Sequence, residues 1–333
     1  MTLILNIYQL VLVEGDPRFP WPPDPQHRQH LIRPLPFEAW CADMAQQLSQ
    51  QQLAWVTQHQ CQQAPFRGAS LPEQQMAWLT LASPLAQTEL HEALTTLFNR
   101  FCVDWALQSD AQWHTPKRLV LSDMDSTLVQ GECIDELAMV AGCGDAVAHI
   151  TAQAMQGELN FEEALTQRVA LLKGLSMTAI DEMLEHTPLM PGASTLMEQL
   201  GQQGVYRVLV SGGFTPFTQA VCQQLGMDAE AANKLGQDEA THTLNGKVLP
   251  PILGKAAKLH RLKQEAERLG IGLEQTIAIG DGANDLAMIQ AAGLGVAFHA
   301  KPLVRQQAAF CIHHTGLETV LYYLGIGFKE SAH

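Results

Sequence analysis

Acidic side chains follow a short apolar segment of this 333-residue chain at a spacing that could do chemistry. Asp123 and Asp125 come directly after the strand-like residues 118–122. Side chains of an extended chain alternate between faces, so both carboxylates start on one side. Like charges this close need a cation or a shared proton. The pair therefore predicts a cation site, although aspartates after strands also serve as ordinary turn formers.

Two later apolar segments end in comparable groups. Ser211-Gly212 follows residues 205–210 and offers a hydroxyl and free backbone N–H groups, as an anion cradle or a plain turn into a helix would. Asp281, Asn284 and Asp285 follow residues 276–279. Their oxygen atoms suit Mg²⁺, and they suit a helix N-cap equally well.

A lysine before the third of these segments completes the set. Lys255 begins a predicted helix over residues 255–269, and Lys258 lies one turn later. We expect Lys255 to be the one near the acids, because Leu259 and Leu262 would then face the core. Acids, a hydroxyl and an amine together predict phosphoryl transfer, in which an aspartate attacks phosphorus and cations neutralise its oxygens. Walker, nucleophile-elbow and H-E-x-x-H motifs are absent from the sequence.

Strands and helices alternate from residue 118 onward, which predicts a doubly wound, Rossmann-like parallel sheet of the α/β class. Ligands of such sheets bind at the carboxyl ends of the strands, where the polar groups lie. Residues 135–187 interrupt the alternation with helix-forming sequence and predict an inserted helical cap. Residues 228–250 predict a hairpin that turns at Asn245-Gly246.

The first part of the chain has a different composition. All six tryptophans occur by Trp113, and the first lysine is Lys117. The pattern of this part predicts the order β-α-β-β-α-β, an α+β unit of ferredoxin-like type. Residues 15–36, rich in proline and histidine, predict a loop. We therefore expect an N-terminal unit over 1–113, a catalytic core over 114–134 and 188–333, and a cap over 135–187.

Composition excludes several classes of partner. The net charge of −14 argues against nucleic acid, and no apolar run is long enough to span a membrane. The apolar start of the chain lacks basic residues, so we do not expect a signal peptide. Seven scattered cysteines without a C-x-x-C spacing predict free thiols and a cytoplasmic location.

The combined motifs resemble those of the haloacid dehalogenase superfamily of phosphohydrolases. DMDST, LVSGG, the later lysine and GDGAND stand in that superfamily's order. Within it, the segments ECIDE, TQRVALLKGL, VSGGFT and AGLGVAFHAKP are similar to the phosphoserine phosphatases. The resemblance covers about residues 117–325 and implies an Mg²⁺-dependent hydrolysis of O-phosphoserine, the last step of L-serine biosynthesis.

The resemblance also implies a role for each matching residue. Asp123 would be the nucleophile that forms an aspartyl-phosphate, and Asp125 would be the general acid and later the base. Mg²⁺ would be bound by Asp123, Asp281 and the Asp125 carbonyl, and Asp285 would support the metal. The phosphate would be bound by Ser211, Gly212, Lys255 and Asn284. Arg168 would bind the substrate carboxylate, and Glu132 would bind its ammonium.

Residue spacing alone leaves alternatives open. Arg168 lies within an apolar helix stripe of residues 161–172, where it would either extend its charge to water or grip a carboxylate. A phosphotransferase that passes the phosphate to a small alcohol such as homoserine would use the same groups. A non-catalytic regulatory protein, sensing through its first unit, is a third reading. A homodimer stays an open expectation.

Overall fold

One 11-stranded sheet runs through the part of the chain that the structure describes. The computed structural model describes residues 5–14, 36–65 and 75–327. The predicted loop over 15–36 lies outside these residues except for Pro36. The strands are β1 (Asn6–Glu14), β2 (Trp55–Gln63), β3 (Gln75–Ser83), β4 (Val103–Ser109), β5 (Leu119–Ser122), β6 (Tyr206–Phe214), β7 (Ala229–Asp238), β8 (Thr243–Leu249), β9 (Thr276–Gly280), β10 (Leu294–Phe298) and β11 (Phe310–Ile312).

Helices cover both faces of this sheet. They are α1 (Phe37–Gln50), α2 (Gln87–Phe98), α3 (Asp110–His114), α4 (Cys133–Val140), α5 (Gly144–Met155), α6 (Phe161–Leu171), α7 (Met177–His186), α8 (Ala193–Gln202), α9 (Thr215–Leu225), α10 (Ala257–Leu269), α11 (Leu286–Ala291), α12 (Pro302–Gln307) and α13 (Thr319–Tyr323). Within the described ranges, no helix has the length and apolar character needed to cross a membrane.

The strand order is β2-β3-β1-β4-β11-β10-β9-β5-β6-β7-β8. The central run from β11 to β7 is parallel, and the strands beyond it at both edges pair antiparallel. The predicted α/β class with a parallel sheet is therefore confirmed. The order β-α-β-β-α-β also occurs over β1 to β4. The ferredoxin-like assignment and the three unit boundaries stay predictions.

The central strands are buried on both faces, which explains their continuous apolar sequences. Along β5, Leu119 and Leu121 pack on one side beneath α10, whereas Val120 packs on the other side. Each buried leucine contributes about 1.5–3 kcal/mol relative to an exposed one. This burial fixes the register of β5 between β6 and β9, and with it the position of the acids that follow.

The sequence did not indicate β11, and it misplaced one turn. β11 pairs with both β10 and β4, so it joins the first unit to the core sheet. The β7–β8 hairpin turns at residues 239–242, and Asn245-Gly246 lies inside β8. The predicted turn is wrong because the pairing shifts between Leu235 and Gln237, and the Asn-Gly pair takes up this shift as a bulge.

Candidate active site

The first acid lies at the end of a fully buried strand. Asp123 follows β5, and its N–H donates to the Ile279 carbonyl of β9 over 3.0 Å. One carboxylate oxygen accepts the Met124 N–H at 2.7 Å, and the side chain is almost fully buried. The other oxygen, Oδ2, lies 2.6 Å from the Lys258 ammonium. The carboxylate is thus held in one orientation.

Lys258 connects two strand ends electrostatically. Its ammonium, 3% exposed, contacts Asp123 and also Asp285, which follows β9. Burial alone would lower the pKa of Lys258, but the two carboxylates raise it above its usual value. Lys258 therefore stays charged and offsets part of the negative charge that β5 and β9 bring together.

The expectation that Lys255 is the lysine near the acids disagrees with this placement. Lys255 is exposed and lines a small side cavity, and Lys258 alone of the two reaches the carboxylates. The physical reason is the helix register. α10 begins at Ala257 and buries Lys258, Leu262 and Glu265, so the lysine is part of the inward stripe. Reasoning from apolar residues alone assigned that stripe to Leu259 and Leu262.

Three carboxylates form a cluster that could hold a metal ion. Oxygens of Asp123, Asp281 and Asp285 lie within 4.8 Å of one another, and all three side chains are buried. The Asp285 oxygens are already engaged by Lys258 and by the Gly282 N–H at 2.9 Å. Asp281 has a weaker partner, the exposed Lys301 ammonium at 3.7 Å. An all-oxygen set of two available carboxylates fits Mg²⁺.

The second acid of the DMDST segment faces the same space from the side. Asp125 accepts the Cys133 N–H at 3.1 Å, and a side-chain atom on Gly213 would lie 3.0 Å from its Oδ2. Burial raises the pKa of Asp125 to about 6, and the charge of Asp123 adds to this effect. A carboxyl group with such a pKa can both donate and accept a proton near neutral pH.

Residues of the Ser-Gly-Gly segment and Asn284 complete the floor of the site. Ser211 is buried and its hydroxyl accepts the Gly213 N–H at 2.8 Å. The Gly212 carbonyl accepts the side-chain N–H of Asn233, which keeps this end of β6 in place. Gly212 and Asn284 line both the main cleft and the side cavity.

Above the floor, helix α6 lines one side of a cleft. Arg168 on α6 is half-buried and lines this cleft, so its charge does not simply extend to bulk water. Glu132 precedes α4 and lines the same cleft. Burial raises the pKa of Glu132 to about 7, and Asp125 adds to the rise. The cleft thus offers both a cation and an acid beside the buried acids.

Several further residues line the cleft without having been predicted as site residues, among them Phe161 and Lys301. Phe161 lies close to Gly212, where a side-chain atom would come within 3.3 Å of its ring. Lys301 lies in the AGLGVAFHAKP segment, but no role was predicted for it. Its proximity to Asp281 depends on how the loop after β10 folds back, which sequence spacing does not reveal.

Comparison with known proteins agrees with this geometry. The family model described as hydrolase, haloacid dehalogenase-like hydrolase, matches residues 117–293, which is more than half of the chain. The chain belongs to this family. The matched range contains β5, β6 and β9, and with them every acid of the cluster.

Individual relatives give a narrower comparison. A Streptomyces coelicolor protein named phosphoserine phosphatase is 46% identical over 241 residues, which are 72% of this chain and 58% of that protein. A structure titled as a phospho-aspartyl intermediate analogue of phosphoserine phosphatase has a TM-score of 0.58 at 40% identity and covers 63% of this chain and 99% of that one. A family hydrolase from Salmonella enterica has a TM-score of 0.78 at 26% identity, covering 97% of this chain and 100% of its own.

Replacing Lys258 by Met should destabilise the protein far more than replacing Lys255 by Met. Loss of Lys258 leaves two buried carboxylates without their partner, at an expected cost of about 3–5 kcal/mol. The exposed Lys255 should change the free energy of unfolding by less than about 0.5 kcal/mol. Urea unfolding of both variants in EDTA measures the difference, and equal losses would contradict the assignment of Lys258.

Proposed function

We propose that this haloacid dehalogenase-like hydrolase is an Mg²⁺-dependent phosphoserine phosphatase that releases L-serine and phosphate, the last step of L-serine biosynthesis. The observation that carries the proposal is the cleft itself. It presents Arg168 and Glu132, whose charges suit a carboxylate and an ammonium, beside the buried Asp123. The Lys258 ammonium on Asp123 supplies the positive charge that suits a phosphate. The names of the relatives described above support the same substrate.

In the first half of the reaction, a carboxylate oxygen of Asp123 attacks phosphorus. The Asp123–phosphorus bond forms as the bond from phosphorus to the seryl oxygen breaks. Asp125 gives its proton to that leaving oxygen, which departs as the serine hydroxyl. The raised pKa of Asp125 favours the protonated form that this step needs.

The second half regenerates the enzyme. Asp125, now ionised, takes a proton from a water molecule, whose oxygen attacks phosphorus. The Asp123–phosphorus bond breaks and inorganic phosphate leaves. Asp125 ends protonated and Asp123 ends ionised, so both residues return to their starting forms.

The phosphate would be bound by groups from two strand ends and from helix α10. We propose that Lys258, Ser211, the Gly212 N–H and Asn284 contact its oxygens, with Lys258 in the role first given to Lys255. Asp123, Asp281 and the Asp125 carbonyl would hold Mg²⁺, and Asp285 would support the site through Lys258 and Gly282. Bound Mg²⁺ supplies Lewis-acid neutralisation of the phosphate oxygens.

The remaining assignments concern the setting of the reaction. We propose that residues 135–187 act as the cap that selects the substrate, since they carry Arg168. All seven cysteines are free thiols, which fits work in the reducing cytoplasm. The matched region spans 58% of the Streptomyces coelicolor relative, so that relative does not establish the activity of this chain. We therefore infer the activity from the residues that line the cleft of this chain.

The variant Asp123→Asn should lose phosphoserine hydrolysis, with kcat lower by roughly 10⁴-fold or more, because the amide cannot act as the nucleophile. Phosphate release at saturating phosphoserine and Mg²⁺ measures this loss. Asp145→Asn, at an exposed aspartate of α5, is the matched control and should keep full activity. EDTA should stop both the wild type and the control. Turnover by Asp123→Asn near the wild-type rate would reject the nucleophile.

The variant Arg168→Ala tests the substrate class. It should raise KM for phosphoserine by about 10- to 100-fold, since a charge-assisted contact to the carboxylate is lost. Phosphoethanolamine has the same phosphate and ammonium but no carboxylate, so its KM should change little. Steady-state kinetics with both esters separates the outcomes, and an equal rise for both would argue against a carboxylate clamp.

A further inference from the structure

A buried aspartate of the first unit lies at the junction with the core. Asp104, on β4, is 1% exposed. One of its carboxylate oxygens accepts the His313 N–H at 2.7 Å. The other accepts the His314 N–H at 2.9 Å and the Thr315 hydroxyl at 2.7 Å. Three donors on one carboxylate fix the conformation of the loop that follows β11.

That loop is connected to the segment after β10. The Thr315 carbonyl lies 3.0 Å from Nε2 of His299, and the His299 N–H donates to the Ile312 carbonyl over 2.9 Å. His299 has a φ of +43°, which non-glycine residues rarely adopt. Its neighbours must therefore hold this conformation against a strain cost.

The segment after β10 in turn contacts a proposed metal ligand. The Lys301 N–H donates to the Asp281 carbonyl over 3.0 Å, and the Lys301 ammonium lies 3.7 Å from the Asp281 carboxylate. Hydrogen bonds therefore link Asp104 through Thr315 to His299, and the covalent chain from His299 to Lys301 continues this link to the hydrogen bond with Asp281.

We propose that Asp104 is a positioning residue through which the first unit sets the geometry of Asp281 and Lys301. The proposal rests on the proposed function, because it assumes that Asp281 binds Mg²⁺. The first unit then has a part in the site, although none of its described residues lines the cleft. Asp104 positions Asp281 and Lys301 by fixing the conformation of the 313–315 loop, and it does not contact substrate or ion.

A second buried contact at the junction provides the matched comparison. Gln108 lies four residues later on β4 and donates from Nε2 to the Tyr323 carbonyl at 2.7 Å. It is as buried as Asp104, but its hydrogen bond goes to the last residue of α13 and not to the 313–315 loop. If Asp104 only joined the two units, loss of either contact would have the same kind of effect.

The test compares full-length Asp104→Asn with Gln108→Leu. In Asp104→Asn an amide N–H₂ replaces one accepting oxygen and meets the donors of the loop. The Mg²⁺ concentration that gives half of the maximal rise in melting temperature should increase about 3- to 10-fold in Asp104→Asn. It should stay at the wild-type value in Gln108→Leu. Amide hydrogen exchange over residues 299–301 should speed up in Asp104→Asn alone.

The outcomes separate the two proposals. Unchanged Mg²⁺ midpoint and unchanged exchange in Asp104→Asn would overturn the positioning role, as would equal changes in both variants. If Mg²⁺ does not stabilise the wild type, the metal site of the proposed function is wrong. The hydrogen-exchange comparison would still test whether Asp104 positions residues 299–301. If Asp104→Asn does not fold, Thr315→Val replaces it in the test, because it removes only the hydroxyl hydrogen bond to Asp104. Thr315→Val should also raise the Mg²⁺ concentration at half-maximal stabilisation.

Discussion

Mutual repulsion among buried carboxylates is the constraint on which the rest of this structure depends. Asp123, Asp281 and Asp285 come from the ends of two adjacent parallel strands, and their oxygens lie within 4.8 Å of one another. Burial makes each charge costly unless positive charge is near. Lys258 supplies one such charge between Asp123 and Asp285. The remaining negative charge at Asp123 and Asp281 is what a divalent cation would offset.

Burial of apolar side chains in the sheet offsets the cost of bringing these carboxylates together. Leu119 and Leu121 on one face and Val120 on the other lock β5 between β6 and β9, so the groups that follow these strands meet at one edge. Arg168 of α6 lines the cleft beside these groups. The first unit is joined to the same sheet through β4 and β11, and Asp104 links it to the chain beside Asp281.

The sequence could predict the parts that depend on local pattern. Apolar runs followed by acids or glycines predicted β5, β6 and β9 and the edge at which their polar ends meet. It could not predict which lysine faces the acids, since Lys255 and Lys258 differ by one helical turn and the inward stripe of α10 includes polar residues. The contacts of Lys301 and Asp104 could not be predicted from the sequence for another reason. Their contacts join residues about 20 and 210 positions apart in the chain, and no local period records such pairs.

Anomalous diffraction from crystals of the full chain grown with Mn²⁺ would test the central claim most directly, because Mn²⁺ favours the same oxygen ligands as Mg²⁺. The account predicts one strong anomalous peak between the carboxylates of Asp123 and Asp281, with the Lys258 ammonium still between Asp123 and Asp285. An ion bound elsewhere with this position empty at saturating Mn²⁺, or Asp123 and Asp281 too far apart to share a ligand, would contradict it.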